Sequence, residues 1–149
     1  MRRIVVNLKR TEDLLEQLKL KNVNYEEFLE NNKDSFVEKD LSSFWAHALS
    51  VCNMKNVDII NKADMGYTFF YDIISGRKIP SRDTIARMFI AMRLDLDSCQ
   101  AALKLYNWAG LYSKDKRDSI VIYALTHDLT VSQTESMLAQ HGEKGLKTV

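Results

Sequence analysis

A basic corner between two helical segments is the part of this sequence whose residue types could do chemistry. Arg77 and Lys78 follow Gly76 directly, and Pro80 with Ser81 opens the next helical pattern. Glycine takes a positive φ without a Cβ penalty and can end a helix, whereas proline cannot continue one. Ser81 can accept a hydrogen bond from the first N–H groups of a helix. Two cations on such a tight turn are suited to holding a phosphate or an acidic partner.

The other polar residues show no pattern typical of a catalytic or metal site. His47, His127 and His141 are too far apart to match the usual spacing of metal ligands. No nucleophile has a recognisable local signature, and the glycines do not form a phosphate-binding loop. We therefore expect no enzymatic activity, no metal and no cofactor.

Composition indicates a soluble globular protein with one domain and an extension. The chain has 149 residues, of which 46% are hydrophobic and 28% are charged. Five glycines and one proline leave few turn signals for strands, which favours an all-α protein. The net charge of +1 demands neither nucleic acid nor a membrane surface. Cys52 and Cys99 stand alone and are typical of reduced thiols in a cytoplasmic protein.

Helical patterns divide the chain into three parts. Residues 1–40 form an N-terminal helical extension, with one helix starting at Thr11 and a second at a capping box that Asn24 opens. Residues 109–149 form a C-terminal helical extension, whose last helix starts at a capping box opened by Thr130 and ends at Gly142. Residues 4–8 fit either a strand or a frayed helix.

Residues 41–108 carry five short helical patterns. The first starts at Asp40 or Ser42, and the second and third span about 56–63 and 67–74, with a turn at 64–66 between them. Asp64 lies in that turn, and aspartate tolerates the left-handed conformation better than most residues. The fourth pattern starts at Ser81. The fifth starts at a capping box opened by Asp97 and is expected to end at Gly110.

The five helices and the tight turn between the second and third resemble the Xre/lambda-repressor-type helix-turn-helix domain. The resemblance covers residues 41–108. Residues 75–81, Ser-Gly-Arg-Lys-Ile-Pro-Ser, are similar to the Asn-Gly-Lys-Arg-x-Pro-Ser block that follows the recognition helix in that family. Asn56 lies where the family usually has a glutamine that touches phosphate. Residues 105–129 resemble extensions found in bacterial proteins that carry this domain.

The resemblance implies a DNA-binding transcriptional regulator whose third helix enters the major groove. Such domains usually act as dimers, so it also implies double-stranded DNA and a homodimer as partners. The N-terminal helices or the pair at 119–141 would supply the dimer contact. The DNA contacts would come from the start of the second helix, the third helix and the following corner, at Lys55, Asn56, Tyr67, Thr68, Tyr71, Ser75, Arg77, Lys78 and Arg82.

Two features of the third helix favour an alternative function. Asp72 occupies one of the positions at which the family reads bases, and DNA phosphates repel a carboxylate. Aromatic side chains at Tyr67, Phe69 and Tyr71 cannot all point inward on one helix, and exposed aromatics suit a protein interface. The alternative is a protein-interaction adaptor or inhibitor on a degenerate helix-turn-helix scaffold, which binds its partner through these three aromatics.

Overall fold

A computed structural model describes residues 11–33 and 40–147, and every helix or strand element assigned in those two stretches is an α-helix. This confirms the all-α prediction, whereas the prediction for residues 4–8 lies outside the described residues. The two stretches belong to separate compact units. The helices are α1 (Thr11–Lys19), α2 (Tyr25–Asn31), α3 (Leu41–Cys52), α4 (Asn56–Ala63), α5 (Tyr67–Ile74), α6 (Arg82–Ala91), α7 (Leu96–Leu105), α8 (Lys116–Thr126) and α9 (Val131–Gln140).

The smaller unit is a helical hairpin of α1 and α2. The side chain of Asn24 accepts a hydrogen bond of 3.0 Å from the Glu27 N–H, so the predicted cap does start α2. Phe28 and Asn32 are buried. The Asn32 amide donates to the Gln17 side chain at 2.8 Å and thereby ties α2 to α1.

In the larger unit, α6 is the central helix. Every side chain from Thr84 to Ala91 is buried, and the helix packs against α4, α7, α8 and α9. Trp45, Phe70 and Leu125 bring α3, α5 and α8 into the same fully buried core. Because burying one large apolar side chain is worth about 1.5–3 kcal/mol, this shared core holds the C-terminal helices together with the middle ones. None of the described helices combines the length and apolar character needed to cross a bilayer.

Helix ends in this unit use left-handed residues, most of which are not glycine. Gly76 (φ 84°) and Gly142 (φ 71°) lie at the predicted ends of α5 and α9. Asp64 in the turn after α4 has φ 53°, as aspartate allows. The same conformation occurs beyond four further helices, at Asn53, Arg93, Asn107 and Asp128.

Both predicted ends of α7 were wrong. The helix starts after Asp95, whose side chain accepts from the Ser98 N–H at 3.0 Å, so Asp97 lies inside the first turn. Either aspartate has the chemistry of a cap, and the sequence alone did not separate them. The helix ends at Leu105 rather than Gly110, because Asn107 (φ 61°) reverses the chain there.

Candidate nucleic-acid interface

The helices α4 and α5 differ from their neighbours in how they begin. Among the helix starts described in residues 40–147, those of α3, α6, α7, α8 and α9 have side-chain caps. The starts of α4 and α5 have none, and their N-cap residues are Lys55 and Gly66. The N–H groups at a helix start carry partial positive charge and attract anions such as phosphate. These two adjacent helices therefore present anion-attracting ends that their own side chains do not cover.

Three polar side chains link the start of α4 to the face of α5. The Asn56 amide donates to the Tyr71 hydroxyl at 3.4 Å, and the ring centroids of Tyr67 and Tyr71 are 4.8 Å apart. The pKa of Tyr71 is lowered mainly by its hydrogen bond with Asn56 and to a smaller extent by its hydrogen bond with Tyr67. The same Tyr67–Tyr71 hydrogen bond raises the pKa of Tyr67. Three of the predicted DNA contacts are thus brought together. Lys55 and Thr68 are exposed at the first residues of this surface.

The predicted basic corner is partly neutralised by Asp72. One carboxylate oxygen lies 3.1 Å from Arg77 Nε, and the other lies 3.8 Å from Lys78 Nζ. The main-chain oxygen of Asp72 also accepts from the N–H groups of Arg77 and Lys78, and the Ser75 hydroxyl donates to it at 3.2 Å. The carboxylate therefore points toward the corner, which presents two exposed cations against one anion.

Arg82, the remaining predicted contact, is occupied elsewhere. Its guanidinium donates to both carboxylate oxygens of Asp118, at 3.0 and 2.8 Å. It also donates to the carbonyl oxygens of Ala109 and Gly110, both at 2.8 Å. Four hydrogen bonds therefore hold this guanidinium against its own chain, so it is not free to bind a DNA phosphate.

A second ion pair mirrors the first. Arg117 donates to both carboxylate oxygens of Asp83, at 2.9 and 3.0 Å. Each of α6 and α8 thus carries an Arg-Asp dipeptide in its first turn, and each arginine binds the aspartate of the other helix. We call these two pairs the crossed bridges. The repeated dipeptide is visible in the sequence, but the pairing across 34 and 36 residues is set by the fold.

The crossed bridges control the ionisation of Asp118. Burial raises the pKa of this carboxyl, but the hydrogen bonds from Arg82 and from the Tyr112 N–H lower it more, so the pKa lies below its ordinary value. Hydrogen bonding to Asp83 raises the pKa of Arg117. Asp118 and Arg117 are therefore both charged at neutral pH. Paired with Arg82 and Asp83, they hold the starts of α6 and α8 together.

The aromatic residues of α5 do not form one exposed patch. Phe70 is fully buried, and Phe69 and Tyr71 are half-buried. The ammonium of Lys78 lies 5.9 Å from the centroid of the Phe69 ring and covers part of it. Of the three aromatics predicted to bind a protein partner, Tyr67 alone is largely exposed, at 62%.

The described residues contain no group of three histidine, cysteine, aspartate or glutamate side chains arranged to hold a metal ion. Comparison with known proteins does not identify the site. The chain matches no protein-family model, and neither a curated protein nor a solved structure shows significant similarity to it.

Proposed function

We propose that α3–α7 form an Xre-type helix-turn-helix domain and that the protein binds double-stranded DNA to regulate transcription. The observation that carries this proposal is the link from the uncapped start of α4 to the face of α5, through Asn56, Tyr71 and Tyr67. It is supported by the resemblance of residues 75–81 to the block that follows the recognition helix in that family.

In the proposed complex, α5 lies in the major groove. Thr68 and Tyr67 approach base edges, where a threonine can bond a base or contact a thymine methyl group. Lys55, Asn56 and the free N–H groups of α4 hold a backbone phosphate. Tyr71 is a positioning residue, because its hydroxyl fixes the Asn56 amide.

The basic corner holds a second stretch of phosphate backbone, through the side chains of Arg77 and Lys78 and the hydroxyl of Ser75. Asp72 offsets part of this charge, so the corner contributes less than two isolated cations would. With few phosphates neutralised, we expect mixed-sequence DNA to bind with a Kd of about 10⁻⁴–10⁻⁶ M at physiological salt.

The test is fluorescence anisotropy of the protein with a mixed-sequence duplex, from about 50 to 200 mM salt. Each phosphate contact adds about −0.9 to the slope of log affinity against log salt concentration. The double variant Lys55→Ala with Arg77→Ala should weaken binding to all duplexes and reduce the slope by about two.

Lys104→Ala is the matched control, because Lys104 is an exposed cation on α7 that is outside the proposed interface. Its slope should equal that of the wild type. A double variant with an unchanged slope would remove Lys55 and Arg77 from the interface. At about 50 mM salt, phosphate contacts are only weakly screened. Failure to bind DNA under this condition would contradict the DNA-binding function itself.

The neutralised corner favours one other candidate, a protein-interaction adaptor or inhibitor on the same scaffold. Tyr67 would then be the anchor, because it is the most exposed aromatic of α5 and interface anchors are enriched in tyrosine. This candidate predicts that the protein fails to bind DNA at low salt and captures a protein that Tyr67→Ala no longer captures.

A further inference from the structure

The exposed face of α5 is small and carries neither a cation nor a carboxamide. Of the eight side chains from Tyr67 to Ile74, two are exposed, those of Tyr67 and Thr68. Arginine and lysine are the side chains that usually bind guanine in the major groove, and asparagine and glutamine are those that bind adenine. None of these four residue types occurs in α5. The helix therefore has no side chain for the usual hydrogen-bonded contacts with purine bases.

Neighbouring side chains engage two of the polar groups that α5 does carry. The carboxylate of Asp72 could accept from the amino group of a cytosine, but it faces Arg77 and Lys78 at 3.1 and 3.8 Å. The hydroxyl of Tyr67 forms a hydrogen bond with that of Tyr71. The part of Tyr67 that remains for a ligand is therefore its ring, which lies one residue from the methyl group and hydroxyl of a threonine.

We propose, on the basis of the DNA-binding function proposed above, that α5 recognises the C5-methyl group of a pyrimidine. The contacts are the Cγ2 methyl group of Thr68 and the ring of Tyr67. The C5-methyl group of thymine projects into the major groove, where threonine methyl groups and aromatic rings make apolar contact with it. 5-Methylcytosine carries the same group at the same ring position. The site therefore accepts thymine and 5-methylcytosine alike, and methylation of cytosine strengthens binding.

Exposed cations accompany this small apolar contact and favour duplex DNA as its occupant. Lys55 is exposed at the start of α4, and Arg77 and Lys78 are exposed at the corner that follows α5. No side chain caps the starts of α4 and α5, so their N–H groups also attract anions. A methyl group between two phosphate backbones is what a thymine presents in the major groove. The phosphates then supply most of the affinity, and the methyl contact supplies the preference.

Four duplexes of equal length test this preference by fluorescence anisotropy. One pair alternates adenine with thymine or with uracil, and the other alternates guanine with 5-methylcytosine or with cytosine, all on a deoxyribose backbone. Within each pair the C5-methyl group is the one chemical difference. Burial of one methyl group corresponds to about three- to fivefold in affinity, so the methylated duplex should bind more tightly by that factor. The salt slopes within a pair should be equal, because the phosphate contacts are the same.

Variants of Thr68 test whether its methyl group makes the contact. Thr68→Ser removes the Cγ2 methyl group and keeps the hydroxyl, so the preference should fall below about twofold. Thr68→Val keeps a methyl group in that place and removes the hydroxyl, so the preference should persist. Thr126→Ser is the matched control, because it makes the same change at an exposed position on α8, outside the proposed interface. All three variants should unfold thermally like the wild type, since both positions are exposed.

The results separate methyl recognition from DNA binding itself. Equal affinities within both pairs, with a steep salt slope, would overturn the methyl contact and leave the DNA-binding function standing. A preference in one pair alone would also overturn it, because thymine and 5-methylcytosine present the same group. A preference that Thr68→Ser retains in full would come from the effect of methylation on DNA shape and not from this contact. Failure to bind any of the four duplexes at about 50 mM salt would contradict the proposed function and the methyl contact together.

Discussion

Asp72 is the residue that most limits the affinity of the proposed interface for DNA. Its carboxylate is 17% exposed and faces Arg77 and Lys78, so it reduces the positive charge that the corner presents to phosphate. Asp72→Asn removes the negative charge with little change in size. We expect the variant to bind mixed-sequence DNA about three- to tenfold more tightly at low salt, with a salt slope steeper by roughly one.

Anisotropy with the same duplex checks this prediction. Asp97→Asn is the matched control, because it makes the same change in net charge at an exposed position in the first turn of α7. A gain in affinity that Asp97→Asn shares would be an effect of net charge and not of the corner. Equal or weaker binding by Asp72→Asn would show that freeing Arg77 and Lys78 does not help to bind phosphate.

The crossed bridges act at the scale of helices, because they join the first turns of α6 and α8. The side chains of Arg82 and Asp118 are 24% and 9% exposed, so removing one partner leaves the other charge poorly solvated. We expect Arg82→Ala to lower the free energy of unfolding by about 2–4 kcal/mol. Urea denaturation measures this loss. Arg77→Ala removes a side chain that is 67% exposed and leaves Lys78 beside Asp72, so it should cost under about 0.5 kcal/mol.

A double-mutant cycle separates the bridge from the packing of its side chains. Arg82→Met with Asp118→Leu leaves no unpaired charge, so the double variant should be more stable than the sum of the two single losses predicts. We expect a coupling energy of about 1–3 kcal/mol. Additive losses would mean that Arg82 and Asp118 act independently and that the bridge contributes little.

The lowered pKa of Asp118 makes the same bridge sensitive to acid. The unfolded carboxyl takes up its proton near its ordinary pKa of about 3.9, whereas the folded carboxyl does so at lower pH. The bridge therefore stabilises the fold fully above that value and is lost as pH falls through the folded pKa. Asp118→Asn should be less stable than the wild type at pH 7, with a difference that shrinks below about pH 4.

Urea denaturation of both proteins from neutral pH down to acid checks this prediction. Asp97→Asn serves again as the control, because the side chain of Asp97 is exposed, and it should follow the wild type throughout. A stability difference for Asp118→Asn that stays constant with pH would show that Asp118 titrates alike in the folded and unfolded chains.

The sequence predicted helix boundaries correctly where a single residue could cap the helix or form the turn. The spans 56–63 and 67–74 are the observed α4 and α5, because the turn at 64–66 has an aspartate that accepts φ 53°. Both bonds of the predicted capping box at Thr130 are present. The start of α7 failed because Asp95 and Asp97 have the same capping chemistry. Its end failed because an asparagine can reverse the chain before a glycine is reached.

The candidate site was less predictable, because its contacts join distant parts of the chain. Lys55, Thr68 and Arg77 are exposed, as a residue that contacts DNA must be. The contact of Asn56 with Tyr71 depends on how α4 packs against α5. The hydrophobic pattern of the sequence does not predict that packing. Arg82 illustrates the limit best, since its partner is 36 residues away, in a helix outside residues 41–108.

At the scale of the whole molecule, the chain after α9 is part of the core. Leu146 is 1% exposed, and Glu135 accepts from its N–H group. Arg117 donates to the carbonyl oxygens of Lys144 and Gly145, at 2.8 and 2.9 Å. This segment therefore closes the larger unit over α8 and α9.

We expect Leu146→Ala to lower the free energy of unfolding by about 2–4 kcal/mol, through lost burial and the cavity it leaves. Urea denaturation measures the loss. Ile79→Ala is the control, because Ile79 is 73% exposed and should cost less than about 0.5 kcal/mol. A Leu146→Ala protein as stable as Ile79→Ala would show that this segment is dispensable to the core.

The crossed bridges also carry a consequence for how this protein evolves. Positions 82 and 118 should change together in related sequences, and so should positions 83 and 117. A change at one position alone would leave the charge of its partner unpaired. A relative without α8 would be released from both constraints, and its arginine at position 82 would be free to contact DNA. Under the proposed DNA-binding function, gaining α8 and α9 would therefore exchange one phosphate contact for a larger core.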